Sequence, residues 1–194
     1  MTTTNQQQPN NFITGNTPMN EHFQEAMKLW QPLAKQEGVT AYHYFQTYQQ
    51  LQQHSNEEQG KQLYGVVIEI GKPQDGYDLL AVYNNYWANL HHHQGMKKAW
   101  LRPDENFDAL ITEILETGKT LLPNMPSWDA DFEQQVAKGW MRIHLLTAQG
   151  IYSAEAPLTE MAHSPLGEEM VEASRMLINW LVAFDPKDHE PVTR

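Results

Sequence analysis

Hydrophobic and polar residues alternate with a period of two between residues 64 and 93, a pattern typical of β-strands. Two short segments rich in Gly, Pro or Asn interrupt the alternation. The pattern therefore predicts three strands, at Tyr64–Gly71, Tyr77–Tyr83 and Tyr86–His93. Asn84-Asn85 fits a two-residue hairpin turn, because asparagine tolerates positive φ better than most residues. Strands joined by such short turns pair antiparallel, so we predict an antiparallel meander.

Two more strands are predicted downstream, at Trp140–Ala148 and Ile151–Ala156, with a turn at Gln149-Gly150 between them. Other segments repeat their hydrophobic residues every three or four positions, as amphipathic helices do. These segments are Phe23–Ala34, which Pro32 is expected to kink, and Ala41–Leu51, 104–122 and 166–184. Ser164 and Pro165 supply an N-cap and a first-turn proline for the last of them.

The predicted order is α-α-β-β-β-α-β-β-α, which indicates an α+β fold: a single antiparallel five-stranded sheet covered on one face by the helices 104–122 and 166–184. We expect a flexible polar arm at residues 1–19, a single domain at 20–184 and a polar tail at 185–194. The predicted core contains Val66, Ile68, Leu79, Leu110, Ile114, Leu145, Leu177 and Leu181.

Composition narrows the classes of function. Acidic residues outnumber basic ones by 24 to 13, which argues against nucleic acid as a partner, because phosphate binding needs a basic face. The chain has no cysteine, which excludes disulfides and thiol catalysis. It has neither a signal-peptide pattern at its start nor an apolar run long enough to span a membrane, so we expect a cytoplasmic protein without a membrane partner.

Acidic residues are concentrated between residues 104 and 133, where Lys119 is the one basic residue. The stretch is interpreted either as an ordinary solvated helix face and loop or as a surface that attracts a basic protein. Trp128 lies within it and is a further candidate contact residue. The candidate partner-binding residues are Asp104, Glu105, Asp108, Glu113, Glu116, Asp129, Asp131 and Trp128.

Histidines offer a second kind of site. His91 and His93 lie two residues apart on a predicted strand, so their imidazoles point the same way and could hold one metal ion. A complete site needs a third ligand, and His144, Glu69 and Glu155 are the candidates. The alternative is a polar strand end that faces water. Because His-x-His alone is a weak signal, the sequence predicts no tightly bound metal or other cofactor.

Catalytic patterns are otherwise weak. Glu69 and Glu155 lie among apolar strand residues, where a buried pair of carboxylates could perform acid–base chemistry. Strand alternation equally allows both to face water on the open side of the sheet, which we favour. The serines lack the Gly-x-Ser-x-Gly pattern of a nucleophile elbow, and the glycines lack the spacing of a phosphate-binding loop.

Two functional hypotheses follow. The first is a non-enzymatic protein-interaction module, for example a bacterial immunity or antitoxin-like protein that blocks a basic toxin with its acidic face. The second is a metal-binding protein or metal-dependent enzyme centred on His91 and His93. The acidic balance and the missing catalytic motif favour the first.

Overall fold

The computed structural model describes residues 28, 32, 39–52, 62–74, 76–101, 104–128 and 134–184. The predicted arm at 1–19 and tail at 185–194 lie outside these residues. Of the first predicted helix, Lys28 and Pro32 are described, and both are helical.

In the described part of the chain, six strands form a single antiparallel sheet in the order β4-β3-β2-β1-β5-β6. This arrangement confirms the predicted α+β class and the single antiparallel sheet. The strands are β1 Leu63–Gly71, β2 Tyr77–Tyr83, β3 Ala88–His91, β4 Lys97–Trp100, β5 Trp140–Thr147 and β6 Gly150–Pro157. The long hydrophobic β1 lies between β2 and β5, and every residue of it except Tyr64 is buried.

The predicted count of five strands was wrong because the chain turns back after His91. The amide of His92 donates to the Met96 carbonyl at 2.8 Å, and Gly95 takes a φ of 82° in the turn. The chain then returns as β4, a short edge strand of which Trp100 alone is buried. Alternation is a weak signal in such a strand because a basic, solvated edge has little hydrophobic pattern.

The hairpin between β2 and β3 also differs from the prediction. Its loop has three residues rather than two, because Tyr86 takes a left-handed φ of 64° after Asn84-Asn85. The amide of Tyr83 donates to the Trp87 carbonyl at 3.0 Å across this loop. One added loop residue shifts the register by one, so Leu79 rather than Asp78 lies opposite His91.

Three of the described helices begin within one residue of the predicted start, and the four-residue helix Leu158–Met161 was not predicted. The described helices are α1 Ala41–Gln52, α2 Glu105–Leu121, α3 Leu158–Met161 and α4 Pro165–Ala183. Asp104 caps α2 by accepting the Asn106 amide at 3.0 Å, and Ser164 caps α4 by accepting the Gly167 amide at 3.2 Å. These bonds satisfy amides that a helix start leaves without an intrahelical partner.

Helices cover both faces of the sheet, not one face as predicted. Helices α2 and α4 pack on the face formed by Val66 and Ile68. Helix α1 packs on the opposite face, where Leu79 lies beside Tyr44 and Tyr48. All the predicted core residues are buried, but Leu79 lies on the α1 side because it pairs with Glu69, not with Val66 or Ile68.

Gly118 lets α2 approach the sheet closely. A Cβ added there would lie 2.9 Å from Val66 Cγ2 and 3.2 Å from Leu145 Cδ2. Within the described residues, no helix combines the length and the apolarity needed to cross a membrane.

Candidate functional site

A buried polar cluster lies on the α1 side of the sheet, where β1, β5 and β6 run side by side. The sheet register places Arg142 opposite Glu69 and Glu155, and His144 opposite Ser153. Residues paired across neighbouring strands point to the same face, so these side chains converge. Glu69, Arg142, His144 and Ser153 are each no more than 3% exposed.

Arg142 pairs with both glutamates of this cluster. Its Nη1 donates to Glu69 Oε2 at 3.1 Å and to the Gln134 carbonyl at 2.7 Å, and its Nε donates to Glu155 Oε2 at 2.8 Å. The guanidinium also lies 5.3 Å from the centre of the Trp128 ring. A buried charge needs a partner of this kind, because leaving it unpaired is costly.

His144 links two members of the cluster. Its Nε2 lies 3.3 Å from Glu69 Oε2, and Ser153 Oγ contacts Nδ1. A carboxylate accepts only, so the contact of Nε2 with Glu69 requires Nε2 to donate. Serine, histidine and glutamate are the groups of a hydrolase triad, but these three are buried and Trp128 packs edge-on against the imidazole at 5.5 Å. The three groups therefore form a buried hydrogen-bonded network in which Ser153 Oγ is closed to a substrate.

The expectation that Glu69 faces water was therefore wrong. Its side chain is 4% exposed because Arg142 and His144 lie beside it in the register. Glu155 is partly exposed to solvent, with 26% of its side-chain surface accessible. Alternation alone cannot distinguish a solvated glutamate from a buried ion pair, since both lie on the less apolar face of a strand.

The acidic candidates lie in several different settings. Glu105, Glu113 and Glu116 are exposed on α2, and Asp108 is half-buried. Asp104 serves as the α2 cap. Trp128 is half-buried against Arg142 and His144, so it covers the polar cluster. Asp129 and Asp131 lie outside the described residues.

The outward side of α2 and α4 is strongly acidic. Thr117 of α2 donates to Glu169 of α4 at 3.4 Å, and the Phe107 ring lies 5.6 Å from Trp180, so the two helices run antiparallel. Six exposed glutamates lie on them, and their basic residues are Lys119 and Arg175. The glutamates are Glu105, Glu113, Glu116, Glu168, Glu169 and Glu172.

Two exposed apolar side chains lie among these acids. Met176 is 48% exposed and Trp180 is 37% exposed, four residues apart on one side of α4. Helical spacing puts Glu172 and Glu169 on the same side, one and two turns from Met176. We call this surface the helical outer surface; its members are Glu113, Glu116, Glu169, Glu172, Met176 and Trp180. Sequence reasoning missed the α4 half because its acids lie far from residues 104–133 in the chain.

The three histidines of the candidate metal site, His91, His93 and His144, do not come together in the described structure. His91 lies on β3 and His144 on β5, with β2 and β1 between them. Strands are spaced by about 4.8 Å, so roughly 14 Å separates the two positions. The His91 ring packs edge-on against Tyr44, with 5.6 Å between ring centres.

Protonation of His91 is expected to be difficult. Burial, together with the nearby Lys97, lowers the pKa of His91 from 6.5 to about 4. As the pH falls, the unfolded chain therefore takes up this proton at a higher pH than the folded chain does. The contribution of His91 to stability consequently falls as the pH drops from about 6.5 to about 4. We expect an NMR titration of the His91 ring to show a midpoint near pH 4. A midpoint near 6.5 would contradict the burial of this ring.

Another histidine group forms at the turn between β3 and β4. His93 Nδ1 lies 2.7 Å from Asp78 Oδ1, and His92 Nε2 lies 3.8 Å from the same oxygen. Lys72 Nζ lies 2.5 Å from the other oxygen, Oδ2. Burial alone would raise the pKa of Asp78, but the bonds from Lys72 and His93 outweigh it and hold the pKa below its ordinary value.

No protein-family model matches this chain, and no curated protein matches it either. Its function is therefore inferred from geometry and charge.

Proposed function

We propose that this protein is a non-enzymatic interaction module that binds a basic protein through the helical outer surface. The observation that carries the proposal is the position of Met176 and Trp180, two exposed apolar anchors within a field of exposed glutamates. Protein interfaces typically centre on a few aromatic or apolar anchors and surround them with a polar rim. A rim of this charge favours a partner with a basic surface around an apolar pocket.

The charges on this surface favour attraction of a partner over internal pairing. Glu116 pairs with Lys119 at 2.6 Å, but both side chains are more than half exposed, and such pairs contribute little to stability. Glu113, Glu169 and Glu172 add exposed negative charge to the helical outer surface. Neighbouring acids repel one another, and a basic partner relieves that repulsion.

A bacterial immunity or antitoxin-like role is the concrete form of this proposal. Such a protein must capture its toxin quickly, and a complementary charged surface raises the association rate. We place this role in the cytoplasm, and a chain without cysteine needs no oxidising compartment. The closed Ser153–His144–Glu69 network supports a role without catalysis.

Reversing Glu113 and Glu116 to lysine is expected to slow association with the basic partner by about tenfold at low ionic strength. The off-rate should change less, because rim charges act mainly on diffusional encounter. The fold should survive, since both side chains are exposed. A pull-down from the native cell supplies the partner, and stopped-flow mixing across a range of salt concentrations supplies the rates.

Glu160→Lys is the matched control for this charge reversal. Glu160 is exposed on α3, outside the helical outer surface, and its reversal changes the net charge as much as Glu113→Lys does. If the helical outer surface binds the partner, Glu113→Lys slows association more than Glu160→Lys. Equal slowing by Glu113→Lys and Glu160→Lys would show that the attraction depends on net charge alone. Association rates that change neither with salt nor with charge reversal would show that the glutamates form an ordinary solvated surface.

A further inference from the structure

The geometry points to a binding site for a divalent transition metal ion, with Zn²⁺ the best match, formed by Asp78, His92 and His93. Within the described part of the chain, these three residues are the group whose ligand atoms converge, all within 4.8 Å of one another. Two imidazoles and one carboxylate are a donor set that zinc accepts. The site differs from the candidate His91–His93 site of the sequence, where we expected no tightly bound metal: Asp78 supplies the third ligand, and His92 replaces His91.

The distances are close to those that a metal needs. Ligand atoms about 2.0–2.2 Å from a tetrahedral zinc lie about 3.3 Å from one another. Asp78 Oδ1 lies 2.7 Å from His93 Nδ1 and 3.8 Å from His92 Nε2. Each of these two separations is about half an ångström from that value, a change that side-chain rotation supplies, and all three ligand atoms lie within 4.8 Å of one another.

The backbone around the three ligands is already fixed. Residues 92–96 form a turn closed by two backbone hydrogen bonds of 2.8 Å, from His92 to Met96 and from Gly95 to His92. The amide of His93 also donates to Asp78 Oδ1 at 2.8 Å, which joins the turn to β2. A ligand set held in this way loses little conformational freedom on binding a metal.

The two carboxylate oxygens of Asp78 face different partners. Oδ1 faces the imidazoles, and Oδ2 faces Lys72 at 2.5 Å. Asp78 is 1% exposed, whereas the side chains of His92 and His93 are 13% and 16% exposed, so a hydrated ion can approach from the imidazole side. Three protein ligands leave the fourth tetrahedral position to water. The ammonium of Lys72 repels a metal cation, so it weakens the site.

Calorimetric titration of the tag-free full chain with Zn²⁺ alone tests this site. We expect one ion per chain, with affinity reduced at least about tenfold in His92→Ala and in His93→Ala. Lys72→Gln is expected to tighten binding by about tenfold, because it removes a positive charge beside the ion. An unfolded variant would not bind Zn²⁺ more tightly, so tighter binding by Lys72→Gln cannot be explained by a loss of folding.

His91→Ala and His163→Ala are the controls, because His91 packs against Tyr44 and His163 is exposed near α3. Both variants should bind Zn²⁺ as the wild type does. Circular dichroism of every variant separates a lost ligand from a lost fold. The site is rejected if the wild type binds no Zn²⁺, if His92→Ala and His93→Ala bind it unchanged, or if His91→Ala abolishes binding in a folded protein.

Discussion

Replacing Arg142 with methionine is expected to lower the free energy of unfolding by about 3–5 kcal/mol at neutral pH, because the change leaves Glu69 charged and buried without its cationic partner. The Glu69 side chain is 4% exposed, so water cannot replace the lost ion pair. Methionine keeps most of the volume of the arginine stem, which limits the contribution of a cavity to the loss. Urea denaturation followed by circular dichroism measures the change.

The double variant Arg142→Met, Glu69→Gln is the control for this prediction. Removing both charges should restore much of the lost stability, because replacing a whole buried ion pair costs far less than removing one partner. A loss below about 1 kcal/mol for Arg142→Met alone would show that Glu69 is solvated, and the description of the cluster as a closed network would then fail.

Replacing Trp180 with alanine is expected to weaken binding of the basic partner by about 2 kcal/mol or more, roughly a thirtyfold rise in Kd. Trp180 is the largest apolar group on the helical outer surface, and its exposed 37% is the area that a partner would cover. Its effect should appear in the off-rate, whereas the acidic rim acts on the on-rate. Surface plasmon resonance with the captured partner separates the two.

Trp140 provides a matched control. It begins β5 and is 38% exposed, almost the same fraction as Trp180, but it lies outside the helical outer surface. Trp140→Ala should leave the affinity unchanged. Equal losses of affinity from Trp140→Ala and Trp180→Ala would show that α4 has no special role in binding. Because Trp180 contacts Phe107, circular dichroism must first show that α4 is intact in the variant.

Sequence patterns predicted the interior of this fold better than its edges. Buried strands such as β1 and β5 carry strong apolar signals, and α2 and α4 have long hydrophobic stripes with clear caps at Asp104 and Ser164. The edge strand β4 has one buried residue, Trp100, and therefore little pattern to detect. The face of the sheet on which Leu79 lies depends on the register between β1 and β2, and local sequence patterns do not encode that register.

The candidate metal site was missed for the same reason. With a two-residue loop between β2 and β3, Asp78 would lie opposite His91. The left-handed Tyr86 adds one loop residue, so the register places Leu79 opposite His91 and carries Asp78 to the His92–His93 turn. Tyrosine rarely adopts positive φ, and nothing in the sequence marks Tyr86 for this conformation.

The buried polar cluster depended on long-range pairing in a similar way. Glu69 and Arg142 are 73 residues apart in the chain and meet because β1 pairs with β5. The helical outer surface likewise joins α2 and α4, whose acids are remote from each other in the sequence. Only its α2 half lay in the acidic stretch that composition had singled out.

Fluorine NMR of the protein labelled with 5-fluorotryptophan tests the proposed binding surface most directly. Trp180 and Trp140 have nearly equal exposure in the free protein, so they report on two surfaces within one sample. Single Trp→Phe variants assign their resonances. If a basic partner binds the helical outer surface, its addition shifts the Trp180 resonance and leaves that of Trp140 in place. A shift at Trp140 with Trp180 unchanged would contradict the proposal.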